Sequence, residues 1–142
     1  MERLQADTWD AIIDINLNGA FYVANAVLLA MRAARTGHLI FVGSIAGVIA
    51  DLSGAAYQAS KRGLLGLAHA IRLEERQYGI RTCVLCPGLT NTELVARRAE
   101  KVAPEVLAKA LQPEDVAETI LYIASLPKQV TVPEMQILRS AL

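Results

Sequence analysis

The sequence predicts an α/β fold with a parallel sheet covered by helices. Two apolar runs, Leu39–Val42 and Ile80–Cys86, are short, rich in β-formers and bounded by Gly or Pro, as buried strands are. Before and between them lie two long stretches with apolar residues at helical spacing. Strands that alternate with helices imply right-handed βαβ units, and so parallel pairing.

Composition bounds the rest. The 142 residues suit one domain, taken as 1–142. Fourteen Lys and Arg balance fourteen Asp and Glu, which argues against a polybasic nucleic-acid binder. Met1 is followed by a charged segment without the apolar region of a signal peptide. The apolar stretches are interrupted after about a dozen residues, by Asn25 or Ser44, too short to span a bilayer. A cytoplasmic location is expected, with no nucleic acid or membrane as partner.

Asp7 or Thr8 is placed to cap the first helix, which runs to about Ala34. Its apolar stripe is Trp9, Ile12, Ile13, Leu17, Phe21, Ala24, Val27, Leu28 and Met31. Asn16, Asn18 and Gly19 interrupt it, so a bend is expected there. Thr36-Gly37 ends that helix, and the first strand follows. Ser44–Gly54 reads as a loop and Ala55–Tyr78 as the second long helix, closed by Gly79. Small residues such as Gly63 and Gly66 suit tight packing, and Arg72, Glu74, Glu75 and Arg76 read as a solvated face. The second strand stops at Pro87-Gly88. Glu93–Leu111 reads as helical and broken at Pro104. Gln112-Pro113-Glu114-Asp115 starts a last helix with Pro in its first turn, ended by Pro127. A third strand is expected around Met135–Leu138, with Pro133 marking an irregular or edge start.

The chemistry gathers between Gly43 and Gly66. Ser44 sits where the first strand ends, twelve residues separate it from Tyr57, and Lys61 follows Tyr57 by four. Residues at i and i+4 share a helix face. A free phenol titrates near pH 10, and a neighbouring ammonium favours its ionised form. Such a Tyr can serve as general acid or base, while a Ser hydroxyl donates to a carbonyl oxygen as charge develops on it. Together they suit reduction of a carbonyl or oxidation of an alcohol, with the hydride carried by a cofactor. Taken alone, a Tyr–Lys pair four apart is an ordinary helix-surface pair. Cys83 and Cys86 form a C-x-x-C, but on a strand they point to opposite faces, with Cα atoms about 10 Å apart, beyond disulfide reach. They are expected to be buried, inert thiols, and no metal site is expected.

Ser44, the AYQASK segment Ala56–Lys61, Asn16 within DINLNG and Cys86-Pro87-Gly88 together resemble the short-chain dehydrogenase/reductase family in order and spacing. The resemblance implies a Rossmann-like three-layer fold. It implies catalysis by Ser44, Tyr57, Lys61 and Asn16, with Asn16 ordering a water beside the lysine. Tyr57, Lys61, Pro87, Gly88 and Thr92 are then expected to bind NADP or NAD. The C-terminal segment resembles the branch that includes hydroxy-acid and serine dehydrogenases, which slightly favours NADP. The substrate would be a small-molecule carbonyl or alcohol, and the two long helices would join subunits in a homo-oligomer.

No G-x-G-x-x-G or Walker pattern occurs in the chain. A complete Rossmann-like sheet has about six strands and opens with a Gly-rich turn that holds the pyrophosphate. The expectation is therefore a partial fold whose N-terminal cofactor-binding half is missing, about three βα units or roughly ninety residues. The alternative is a non-catalytic half-domain that associates with a full-length homologue through its long helices.

Overall fold

The computed structural model describes residues 4–51, 53–96 and 101–140. Three strands, β1 (Gly37–Val42), β2 (Ile80–Pro87) and β3 (Glu134–Ile137), form one parallel sheet in that order. Ile40 lies opposite Cys83, and Leu85 opposite Met135. Pro133 directly precedes β3, and its carbonyl accepts the Val84 amide at 3.0 Å.

Side-chain alternation along β2 builds the three layers. Val84 and Cys86 face helices α2 (Gly19–Ala34) and α3 (Ala55–Glu75), in a core with Ala24, Leu28, Leu64 and Ala68. Cys83 and Leu85 face helix α6 (Pro113–Ser125), where Ile123 closes a second core. The two cysteines are thus buried, unbonded and on opposite faces, and burial raises the Cys83 thiol to about 11. Each fully buried aliphatic side chain such as Leu85 or Ile123 contributes about 1.5–3 kcal/mol. The hydroxyl of Thr82, also on the α3 face, donates to the Ala68 carbonyl at 2.8 Å, so its burial leaves no orphan group.

The first long helix is α1 (Ala6–Ile13), a π turn over Asp14–Asn18, and then α2. The Gly19 amide donates to Asp14, five residues back, which defines the wide turn where the interruption was expected. Gln5, not Asp7 or Thr8, precedes the helix, and its side chain makes no capping hydrogen bond. Asp7 lies inside the first turn, where its charge still meets the positive helix end. Leu17, Ala20, Ala24, Leu28 and Met31 make the packed stripe. Trp9 and Phe21, expected on that stripe, are 37% and 47% exposed. Ala20, three residues after Leu17, carries the stripe on to Ala24, and Phe21 lies off it. The helix is continuous over 29 residues, Ala6–Ala34, long and apolar enough to cross a bilayer by length and composition. The count of a dozen apolar residues stopped at polar residues that the helix accommodates.

Arg35, not Gly37, takes the left-handed conformation that ends α2, with φ 51°. Gly79 is left-handed as well, and a Cβ there would meet the Arg35 carbonyl at 2.9 Å. Helix α3 tightens into a 3₁₀ turn at Arg76–Tyr78. Glu75 is not on a solvated face: it is 3% exposed and takes both arms of Arg32, Nε at 2.6 Å. Gly63 approaches the π turn closely, since a Cβ would lie 2.7 Å from Leu17, whereas Gly66 has open space around it. Two short helices follow β2, α4 (Glu93–Ala96) and α5 (Pro104–Leu107). The break falls before Pro104, as expected, and Pro104 starts the second helix, because proline suits the first helical position. The part of the expected helix at 97–100 lies outside the described residues. Helix α6 opens with the Gln112 amide donating to Asp115 at 2.7 Å.

Candidate active site

β1 and β2 end side by side, and the segments that follow them enclose a cleft of about 380 Å³. Carboxyl ends of parallel strands are where open α/β sheets bind ligands. Ser44, Tyr57, Lys61, Pro87, Gly88 and Thr92 all line it. Leu94, Val95 and Val116 add apolar surface. A wider groove of about 760 Å³ between α6 and β3 contains none of the expected site residues.

Ser44 stands at the strand end because the ladder continues one residue past β1: the Gly43 amide donates to Leu85 at 2.7 Å. A Cβ at Gly43 would strike Val84 at 2.8 Å, so the chain can lie this close to β2 only as glycine. The Ser44 hydroxyl oxygen accepts the Ala46 amide at 3.2 Å and caps the 3₁₀ turn Ile45–Gly47. A hydroxyl holds two lone pairs and one proton, so Ser44 can still donate into the cleft.

The loop beyond Ser44 is fastened to the helix that carries Tyr57 and Lys61. A Cβ at Gly47 would sit 2.8 Å from the Lys61 backbone carbonyl. Arg62 donates to the Val48 carbonyl at 3.0 Å, and Gln58 to that of Asp51 at 2.8 Å. Ser44 and Tyr57 are therefore held by one packed unit although they lie on separate elements.

Lys61 Nζ donates to the Val42 carbonyl at 3.0 Å and lies 5.7 Å from the Tyr57 ring centroid. Burial holds the Lys61 ammonium below its usual pKa, against a smaller opposing pull from Cys86. Asn16 is not among the lining residues. Its side-chain amide donates to the Ser60 hydroxyl at 3.2 Å, and Ser60 donates to the Tyr57 carbonyl at 2.8 Å.

On the opposite wall, the Gly88 amide donates to Ile137 at 2.8 Å and ties the end of β2 to β3. The Thr90 hydroxyl donates to the Gly88 carbonyl at 3.1 Å. The next residues pair with the segment before α6: Leu111 donates to Leu89 at 3.0 Å and Asn91 to Leu111 at 2.8 Å. Thr92 is exposed at the rim, and its carbonyl accepts the Val95 amide at 3.0 Å. Sequence reasoning missed Ser60, Gln58, Arg62 and Leu111 as supports of the site. Ser60 stood in plain view between Tyr57 and Lys61, but its partner lies 44 residues away.

A three-layer fold with a parallel sheet and a cleft at the carboxyl ends of its strands belongs to the Rossmann-like class of α/β proteins. This chain belongs to the short-chain dehydrogenase family, whose model matches residues 1–103. An uncharacterised oxidoreductase of Staphylococcus aureus is 32% identical over 133 residues, which cover 94% of this chain and 55% of that protein. A 3-oxoacyl-[acyl-carrier protein] reductase from Brucella melitensis matches 99% of this chain and 56% of its own, with 28% identity and a TM-score of 0.85. A serine dehydrogenase in its closed form with NADP+ matches 96% of this chain and 58% of its own, with 25% identity and a TM-score of 0.81. The chain thus spans a little over half the length of these relatives.

Proposed function

We propose that this chain carries the reacting site of an NAD(P)-dependent oxidoreductase that interconverts a small-molecule carbonyl and alcohol. The observation that carries the reading is the meeting of Ser44, Tyr57 and Lys61 in one cleft with Pro87, Gly88 and Thr92 opposite. In this reading Tyr57 passes a proton to or from the substrate oxygen. Ser44 donates a hydrogen bond to the same oxygen as charge builds there. Lys61 supplies positive charge beside the phenol, and Asn16, outside the cleft lining, supports the Tyr57 turn through Ser60.

The residues present fit the nicotinamide end of the cofactor. The Lys61 ammonium has three protons and uses one on Val42, leaving two to donate to ribose hydroxyls. Pro87, Gly88 and Thr92 offer a wall for the nicotinamide ring and its carboxamide. When bound, the nicotinamide would give or take the hydride. NADP is favoured over NAD, supported by the NADP+ complex of the similar serine dehydrogenase.

A second reading rests on exposed apolar surface. Ile15, Tyr22, Val23 and Leu29 of the first long helix are all well over half exposed. A non-catalytic chain could use this face to associate with a full-length homologue. The test takes the polypeptide as its source makes it and records its intact mass first. Oxidation of NADPH and NADH is then followed with ethyl acetoacetate as probe ketone, for wild type and Tyr57→Phe. Turnover that Tyr57→Phe lowers by about 10²–10⁴-fold supports the catalytic reading. Turnover that survives the change sinks it. A mass near 15.3 kDa with no nucleotide binding favours the second reading.

A further inference from the structure

We infer that Ser60 is a positioning residue that couples the π turn of the first long helix to Tyr57; this rests on the catalytic reading of Tyr57. Ser60 is fully buried between α3 and the π turn. A serine hydroxyl has one proton. Here that proton goes to the Tyr57 carbonyl, 2.8 Å away and three residues back. Toward Asn16 the Ser60 oxygen can therefore only accept, which requires the Asn16 NH₂ group to face it, at 3.2 Å. The direction of the relay is set: Asn16 donates to Ser60, and Ser60 donates to Tyr57.

Each end of this relay sits on a special feature. Asn16 is at the centre of the wide turn Asp14–Asn18. Close approach of the two helices continues at Gly63, where a Cβ would lie 2.7 Å from Leu17. At the other end, an α-helical Tyr57 carbonyl already accepts the Lys61 amide. The Ser60 proton engages the same oxygen, so the turn that spaces the Tyr57 and Lys61 side chains is held from both sides. Serine bonded back in this way bends a helix slightly. The relay fixes where the phenol stands relative to Ser44 and Lys61, and a small displacement of a reacting group is costly.

The test is a double-mutant cycle of Ser60→Ala, Asn16→Ala and the pair, in the polypeptide as its source makes it. With NADPH and ethyl acetoacetate, Ser60→Ala should lower kcat about 10- to 100-fold and leave KM for NADPH nearly unchanged. The double variant should lose little more than the larger single loss, because both changes break one relay. An unchanged kcat for Ser60→Ala, or single losses that multiply, overturns the inference. The same variants are unfolded in urea, a readout that needs no turnover. There a double-variant midpoint shift smaller than the sum of the singles supports the coupling, and a full sum overturns it. If no variant, wild type included, turns over substrate, the catalytic reading fails and the urea cycle decides the coupling by itself. If Ser60→Ala does not fold, Ser60→Cys replaces it in both cycles, since a thiol is a weak donor and acceptor of similar size.

Discussion

Lys61 Nζ is held by the main-chain carbonyl of Val42 at 3.0 Å, so the side chain that faces Tyr57 is anchored on the last residue of β1. This anchoring places an ammonium at a partly buried position, and burial lowers its pKa from 10.5. Between that lowered value and 10.5 the unfolded chain binds more protons than the folded one. Stability attributable to Lys61 therefore rises with pH across this window, and the cost of burying its charge is fully present below it. Lys61→Met should abolish the rise. Urea unfolding of both proteins from pH 8 to pH 10.5 checks this; parallel curves for the two would refute it.

Arg32 and Glu75 make the opposite case at acid pH. The bond to Arg32 holds the Glu75 carboxylate below its usual 4.5. A depressed acid contributes stability that is present above its unfolded value and lost as pH falls through its folded value. The wild type should therefore lose stability below about pH 4.5 more steeply than Glu75→Gln. At neutral pH Glu75→Gln should be the less stable protein, since Arg32 loses its charged partner. Thermal unfolding between pH 3 and pH 7 gives both comparisons, and a variant as stable as wild type at pH 7 would count against the pair.

The same pair shows where sequence reasoning stopped. Glu75 lies among Arg72, Glu74 and Arg76, and nothing local sets it apart; its partner is 43 residues away on another helix. Local physics was legible. Gly79 needed a left-handed backbone, Cys83 and Cys86 alternated across a strand, and Pro113 opened α6. The cleft was legible in part, because Ser44, Tyr57 and Lys61 sit on a strand end and one helix turn whose meeting the βαβ pattern implies. The relay through Ser60 was not: Asn16, Asn18 and Gly19 announced an interruption of the helix, but not that its wide turn would bring Asn16 against Ser60, 44 residues away.

Two glycines of similar appearance should respond in opposite ways to alanine. At Gly47 a Cβ would fall 2.8 Å from the Lys61 carbonyl and 3.1 Å from the Arg62 amide nitrogen, all backbone atoms, so the loop after Ser44 must move. Gly47→Ala should cost about 1–3 kcal/mol and lower turnover by displacing Ser44 from Tyr57. Gly66 is inside α3 with no atom within 4 Å of an added Cβ. Gly66→Ala should stabilise by about 0.5–1 kcal/mol, because alanine loses less backbone entropy in a helix. Denaturant midpoints for both variants are the measurement. A neutral or stabilising Gly47→Ala would mean that the loop is not seated on α3 as described.

The outer face of the first long helix is apolar and exposed. Ile15, Tyr22, Val23 and Leu29 are 77%, 65%, 66% and 75% exposed, while the opposite stripe packs on α3 and the sheet. Exposed apolar residues this closely spaced mark an interaction surface. We propose that a second copy covers it, giving a homo-oligomer through the long helices. Val23→Glu combined with Leu29→Glu should then convert the protein from a dimer or larger assembly to a monomer in sedimentation velocity. The core should be unaffected, because neither side chain enters it. A wild type that is monomeric at the highest soluble concentration would sink the proposal. If the wild type instead floats with phosphatidylcholine vesicles and the double variant does not, the face meets lipid rather than another copy, as the length and hydropathy of Ala6–Ala34 would permit.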